Sequence, residues 1–257
     1  MILSQDRLSL IYDEKKGHSE DYGDFDELLF SQLLDGRDAF WKLIENENVP
    51  MAVRMMQMLS MGHHLQKNIS EGQLFGLENI YDHYLSEGAA NRMNVYLKEK
   101  WEKPGSRYHV MKGMFSCLHK LEALSADWPG KVRHYEKILF SGGRKKYKSL
   151  HQYRMPDKIA EQLLSYFIYV YFAGAVYDGM PYSKIKLAVI STMLIEDMVC
   201  AKAAEKGQLS FEAIADAAHS YAREVEHSDL NLQRLSIMFR HRKCFHIGRL
   251  CGALLEW

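Results

Sequence analysis

Two apolar segments dominate the hydrophobic pattern of the chain, and both lie within residues 163–201. The first reads LLSYFIYVYFAGAVY, the second reads LAVISTMLIEDMVCA, and the break DGMPYSK lies between them. Neither segment keeps its apolar residues on one side, so each is predicted to be a helix that other elements contact on most faces. Glycines at 179 and 207 favour helix ends, and Pro181 and Ser183 favour the start of the second helix.

A third helix is predicted from Ser210 to about Arg240. Its apolar residues recur in alternating steps of four and three, which predicts lengthwise packing on its neighbours. A helical projection at about 100° per residue puts a different set on the opposite face. That outer face consists of Arg223, His227, Leu230 and Arg234. It is either a solvated face or a surface that meets another domain, a protein substrate or an anionic ligand.

Helical periodicity also dominates the rest of the chain, which predicts an all-α fold. We expect a multi-helix, bundle-like domain with a buried central helix pair. Glycine-led, basic residues 141–148 are predicted to be a linker between an N-terminal helical region, residues 1–148, and a C-terminal helical core, residues 149–257. Further expected helices cover residues 25–34 and 37–44, separated by Gly36, and residues 51–68, 74–84, 89–101, 108–124 and 131–140. Residues 1–12 are predicted to be a short strand or an extended entry.

The balance of acidic and basic residues indicates which classes of molecule the protein can bind. Lys and Arg number 33 and so do Asp and Glu, giving a formal net charge of zero. This balance argues against general nucleic-acid or anionic-membrane binding, although residues 144–148 form a local basic loop that leaves a weaker nucleic-acid hypothesis open. The longest apolar run is too short for a membrane span, and no signal peptide is evident. Four scattered cysteines are typical of free thiols in a cytoplasmic protein.

Two adjacent carboxylates, Glu196 and Asp197, interrupt the second apolar segment. Buried carboxylates must be paired or have a raised pKa. Lys184, Lys186 and Arg223 are candidate partners. A structural ion pair and a functional acid or base both remain open.

One cluster of residues is a candidate for metal binding. It consists of His241, Cys244, His246 and Cys251. The spacing allows a transition-metal site in principle, but the same residues fit a short basic helix that packs or dimerises. We predict no metal site. Asp178 is expected either to cap the turn after the first apolar helix or to contact a ligand there.

Two sequence segments identify a family resemblance. VYDGMPYSKIKLAVIS and, about thirty residues later, YAREVEHSDLNLQRL resemble the C-terminal region of the flagellin lysine-N-methylase family, and LEALSADW is a weaker match to its middle region. The resemblance implies an enzyme that transfers methyl groups to lysine ε-amines of flagellin or another protein substrate. It also implies S-adenosylmethionine as the methyl donor.

Members of that family usually begin with a cysteine-rich segment suited to an iron–sulfur or other metal centre. Four scattered cysteines do not replace that segment. We therefore expect a truncated or split form, whose partner could be a cysteine-rich domain or chain, or a methylase-like helical protein without the metal centre. The alternative is a non-enzymatic interaction module that docks a partner on the outer face of the third helix.

The resemblance also indicates which residues of this chain match the signature positions of the family. A lysine must lose its proton before it attacks a methyl group, so a carboxylate or a neutral imidazole is needed nearby. The catalytic candidates for that role are Glu224, Glu226 and His227. The candidates for substrate or partner binding are Tyr177, Asp178, Lys184, Lys186, Arg223 and Asn231.

Overall fold

The computed structural model describes residues 26–100 and 106–256, with side chains for 26–95 and 107–256. Within these residues the chain forms thirteen α-helices and no β-strand, which confirms the all-α prediction. The prediction for residues 1–12 lies outside the described residues. The helices are α1 Glu27–Glu45, α2 Met51–Ser70, α3 Leu77–Leu85, α4 Ala89–Lys100, α5 Ser106–Leu118, α6 Trp128–Phe140, α7 Gly143–Leu150, α8 Asp157–Tyr171, α9 Ala175–Asp178, α10 Pro181–Lys206, α11 Phe211–Tyr221, α12 Asp229–His241 and α13 Ile247–Leu254.

Helix α10 is the centre of the fold. Residues 185–201 are all buried, because α2, α8 and α11 pack on different sides of this helix. Burying each large aliphatic side chain contributes roughly 1.5–3 kcal/mol, so an apolar residue is favoured at almost every position. Pro181 begins the helix, and Gly207, with φ 73°, ends it in the left-handed conformation. The buried central pair is confirmed as α8 packed on α10, although α8 ends at Tyr171, and α9 follows as a separate short helix.

One hydrophobic core runs through both halves of the described chain. It extends from Leu29 in α1 to Leu254 in α13. The linker prediction for residues 141–148 is wrong, because Gly143–Leu150 forms α7. Tyr147 and Leu150 bury one side of α7 while its lysines stay exposed. The basic composition of this segment made its short apolar side hard to recognise in the sequence. The division of the chain at residue 148 stays a prediction, and the core does not separate there.

Gly36 and residues 128–130, which the predicted helices leave out, also lie within helices. Helix α1 continues through Gly36, where an added Cβ would lie 2.9 Å from the Tyr81 hydroxyl. That glycine therefore allows close packing of α3 rather than ending the helix. Residues 128–130 begin α6, with proline in its first turn, where a missing N–H costs no hydrogen bond.

The predicted third helix is in fact two helices. The α11 helix leads into a π-helical turn, Ala222–Glu226, in which the His227 N–H donates to the Ala222 carbonyl at 3.2 Å. Ser228 then adopts an extended conformation, and its side chain accepts a hydrogen bond from the Asn231 N–H to cap α12. The continuous-helix prediction is therefore wrong, because the cap at Ser228 stops the backbone ladder.

None of the helices within residues 26–100 and 106–256 combines the length and the hydropathy required to span a bilayer.

Candidate active site

The π-helical turn contains two glutamates, Glu224 and Glu226, whose side chains lie on opposite sides of the helix. One extra residue per turn shifts the side chains relative to a regular α-helix, and such turns are frequent at functional sites. Glu224 is fully buried and faces the segment before α6, whereas Glu226 is partly buried and faces α8. The two carboxylates, only two positions apart in sequence, therefore have different surroundings.

Glu226 is held by tyrosines of α8. The Tyr171 hydroxyl donates to Glu226 Oε2 at 2.9 Å, and Tyr166 supplies a second hydrogen bond to the same carboxylate. Burial raises the pKa of Glu226, and the two tyrosine hydroxyls and His227 only partly oppose that effect. The result is an oriented carboxylate that binds a proton more readily than an exposed glutamate does.

A pocket of about 750 Å³ opens beside Glu226. It lies between α8, α10 and α11. Its walls are mainly apolar, and they include Leu163, Phe167, Ile195, Ala215 and Ala222. The polar residues that line it include Tyr166, Glu212, Asp216, His219 and Glu226. An apolar pocket with a few converging polar groups is the usual form of a small-molecule or side-chain binding site.

A second pocket, of about 360 Å³, lies between α10 and α12. Tyr171 lines it, and the Tyr171 hydroxyl donates to Glu226, which lines the first pocket, so one hydrogen bond connects the residues of the two pockets. Its charged residues are of both signs, namely Asp178, Lys184, Asp229 and Arg240. Asp178 accepts hydrogen bonds from the Met180 N–H at 2.9 Å and from Lys184 Nζ at 2.7 Å, so it orders the turn before α10.

Glu224 and Asn231 hold the segment between α5 and α6. Glu224 Oε2 accepts from the N–H groups of Leu124 and Ser125 at 2.9 and 3.2 Å, and Oε1 accepts from the Ser125 hydroxyl. The Asn231 side chain accepts from the Glu122 N–H at 2.9 Å and donates to the Glu122 carbonyl at 3.0 Å. The segments LEALSADW and YAREVEHSDLNLQRL are thus in direct contact.

The remaining predicted site residues are dispersed. Tyr177 is 83% exposed, and His227 is also exposed. Arg223 donates to the neighbouring Glu224 at 3.3 Å. Lys186 is buried, donates to the Phe239 carbonyl at 2.8 Å and lies 4.4 Å from the centroid of the Tyr182 ring. Burial lowers the pKa of Lys186 to about 8.

Glu196 and Asp197 are paired, but not with the candidate partners. The buried Arg107 guanidinium lies 2.6 Å from Glu196 Oε2 and 3.0 Å from Asp197 Oδ1. The Tyr147 hydroxyl donates to Asp197 at 2.6 Å, and His151 Nε2 is 3.2 Å from the same carboxylate. Burial alone would raise the pKa of Asp197, but Arg107 and His151 hold it below its usual value. The predicted pairing with Lys184, Lys186 or Arg223 is wrong.

Little in the sequence pointed to several of these residues. Tyrosines at 166 and 171 interrupt an apolar run, which hinted at polar partners for their hydroxyls. Arg107 precedes Glu196 by 89 residues, and no local pattern connects the two. For metal binding, residues 26–100 and 106–256 contain no group of three or more His, Cys, Asp or Glu side chains that could hold an ion.

Comparison with known families gives the decisive match. A protein-family model, described as the FliB lysine N-methylase C-terminal domain, matches residues 37–253. The chain belongs to this family. The FliB C-terminal domain match begins inside α1, ends inside α13 and includes both pockets, so it crosses the division predicted at residue 148. Neither the curated proteins nor the solved structures gave a significant match.

Proposed function

We propose that this chain takes part in methylating lysine ε-amines of flagellin, and that Glu226 receives the target lysine. One observation carries this proposal. In a chain of the lysine N-methylase family, a carboxylate held by two tyrosines lies in the wall of an apolar pocket. Among the three catalytic candidates, Glu226 alone lines that pocket; Glu224 is engaged by the segment before α6, and His227 is exposed.

The pocket suits both parts of a lysine side chain. Its apolar walls, such as Leu163 and Phe167, match the methylene stem, at roughly 0.8 kcal/mol for each methylene group removed from water. The amine would reach Glu226, because a carboxylate in a weakly polar pocket attracts a cation more strongly than one in water. Tyr166 and Tyr171 fix the carboxylate in position for that contact.

Deprotonation follows from the same surroundings. The lysine must lose its proton to expose a nucleophilic lone pair, and burial among apolar groups lowers the pKa of an amine. Burial also raises the pKa of Glu226, which makes this carboxylate a stronger proton acceptor. The pocket therefore brings the pKa of the lysine amine and the pKa of the Glu226 carboxyl closer together. We assign proton acceptance to Glu226.

The residues of the second pocket fit the proposed donor. S-adenosylmethionine, when bound, would supply the methyl group of its sulfonium to the amine and leave as the thioether S-adenosylhomocysteine, and it has an ammonium and a carboxylate at its methionine end. Asp178 and Asp229 suit the ammonium, and Lys184 and Arg240 suit the carboxylate. Because Lys184 already pairs with Asp178 at 2.7 Å, binding would exchange that ion pair for contacts with the donor. We therefore assign the methionine end of the donor to this pocket.

Methyl transfer to flagellin tests the proposal. Purified chain, flagellin and donor with a labelled methyl group should give labelled lysine. Glu226→Gln keeps an oxygen acceptor for Tyr171 but removes the base, so kcat should fall about 100-fold or more. Tyr171→Phe should reduce kcat by up to roughly tenfold, the effect of one hydrogen bond.

The matched control is Glu78→Gln, the same chemical change at an exposed position of α3. It should keep the wild-type rate. Wild-type transfer by Glu226→Gln would contradict the assignment of the base. An inactive wild type, tested with and without an added cysteine-rich chain, would instead favour the non-enzymatic interaction module.

A further inference from the structure

The pocket beside Glu226 is larger than one lysine side chain requires. Its volume of about 750 Å³ lies in the range that accommodates a whole drug-sized ligand. Along its length, the apolar surface continues from Phe167 and Ile195 to Ala215 and Phe211, and Phe211 is 44% exposed. After a lysine reaches Glu226, apolar surface remains available for neighbouring groups.

Acidic residues surround this apolar surface. Glu212 and Asp216 on α11 line the pocket together with Glu226. Hydrogen bonds from its own N–H and from Ser210 lower the pKa of Glu212, so this exposed carboxylate is charged at neutral pH. Asp216 is partly neutralised by its ion pair with Lys202. Lys206 also acts on Glu212. Of the residues that line the pocket, three are acidic and one, His219, is basic, so the lining favours a cationic ligand and disfavours a polyanion.

We propose that this pocket docks the substrate segment around the target lysine, and that it selects a cationic segment with apolar residues beside the lysine. The proposal rests on the proposed function, because the lysine is taken to reach Glu226. Apolar neighbours of the lysine lie on the surface from Phe167 to Ala215, and basic neighbours face Glu212. Apolar burial supplies affinity, and the acidic residues supply selectivity and faster association.

Fluorescence anisotropy with labelled synthetic peptides tests the docking. The reference peptide has one lysine flanked by leucines, with arginines further out. A second peptide replaces the leucines with serine, and a third replaces the arginines with glutamate. The reference peptide should bind wild-type protein at least about tenfold more tightly than either of the others, a difference of roughly 1.4 kcal/mol. Equal binding of all three peptides would overturn the proposal.

Two variants locate the binding surface. Ala215→Phe fills the apolar wall and should weaken binding of the reference peptide about tenfold or more. Glu212→Lys should weaken it roughly three- to tenfold, with a smaller effect at high salt. The matched control is Glu78→Lys, which reverses another exposed first-turn glutamate, on α3, and should leave binding unchanged. If both pocket variants bind the peptide like wild type, the docking proposal is wrong.

The docking proposal and the proposed function fail in different ways. If only the docking proposal is wrong, Glu226→Gln still loses methyl transfer while Ala215→Phe and Glu212→Lys keep the wild-type KM for flagellin. If only the proposed function is wrong, no lysine is methylated although the reference peptide binds and both pocket variants weaken it. Circular dichroism of each variant shows whether the helical fold is retained.

Discussion

The amine of Lys186 lies 2.8 Å from the Phe239 carbonyl, in the last turn of α12. The last carbonyls of a helix lack intrahelical donors, and a cation there also interacts favourably with the helix dipole. Lys186 makes no ion pair within the part of the chain that the structure describes, so burial alone lowers its pKa to about 8. We interpret the Lys186 hydrogen bond as a contact that holds α12 on α10, while burial of the ammonium group costs free energy of desolvation.

This lysine predicts an unusual pH dependence. Its folded pKa of about 8 is below the unfolded value of 10.5, so between these values the unfolded chain binds more protons. The contribution of Lys186 to the free energy of unfolding should therefore rise with pH, by up to roughly 3 kcal/mol at its limit. Urea unfolding of wild type and Lys186→Met at pH 7 and about 9.5 measures it. Parallel stability profiles for the two proteins would contradict the prediction.

Glu196 and Asp197 show where a local sequence pattern is informative. A carboxylate pair inside an apolar helix must have partners, and Glu196 and Asp197 do have them. The partner is Arg107, not a lysine close in sequence, because the packing of α5 on α10 determines which cation is near. Chemistry thus predicted the need for a partner, while tertiary packing selected it.

At the scale of elements, the π-helical turn is the feature that positions the candidate site. Side chains two positions apart on a helix point to nearly opposite sides, about 200° apart on an α-helix, so Glu224 meets Leu124 while Glu226 meets Tyr171. The Ser228 cap is visible in the sequence as Ser-Asp followed by an apolar repeat. The π-helical turn has no comparable signal, because its geometry depends on the contacts that hold both glutamates.

Removing the Glu224 carboxylate should loosen the segment before α6. Glu224→Ala leaves the N–H groups of Leu124 and Ser125 without their acceptor, at a cost of roughly 2–4 kcal/mol in the free energy of unfolding. Urea unfolding measures the loss, and amide hydrogen exchange should accelerate at residues 122–125. The control is Glu87→Ala, an exposed position where a change within about 0.5 kcal/mol is expected. Similar losses for both variants would contradict this role.

For the whole molecule, the Arg107 network connects distant parts of the chain. The Arg107 guanidinium contacts α10, and its Nε is 3.3 Å from the Tyr147 hydroxyl of α7. The backbone N–H of Arg107 donates to the Glu256 carboxylate at 3.3 Å. A buried ion network adds little net stability compared with an apolar core, but removing one partner leaves uncompensated charge. Stability of the assembled fold therefore depends strongly on this one arginine.

Arg107→Met should destabilise the protein by roughly 3–5 kcal/mol at neutral pH, because two buried carboxylates lose the buried guanidinium that they share. Thermal and urea unfolding measure this loss. Adding Glu196→Gln and Asp197→Asn to the same chain should recover part of it, since the buried negative charges are then absent. A triple variant less stable than Arg107→Met would show that the charges are not the cause.

The sequence alone determined the helical class, the central position of α10 and several helix ends, such as those of α4 and α10. These depend on periodicity, proline, glycine and capping residues, which act over a few neighbouring positions. Tertiary structure decided that residues 143–150 form a buried-faced helix, that Arg107 pairs with Glu196 and Asp197, and that Tyr171 meets Glu226. Such contacts join residues 50 or more positions apart, and only the packing of whole helices brings them within hydrogen-bonding distance.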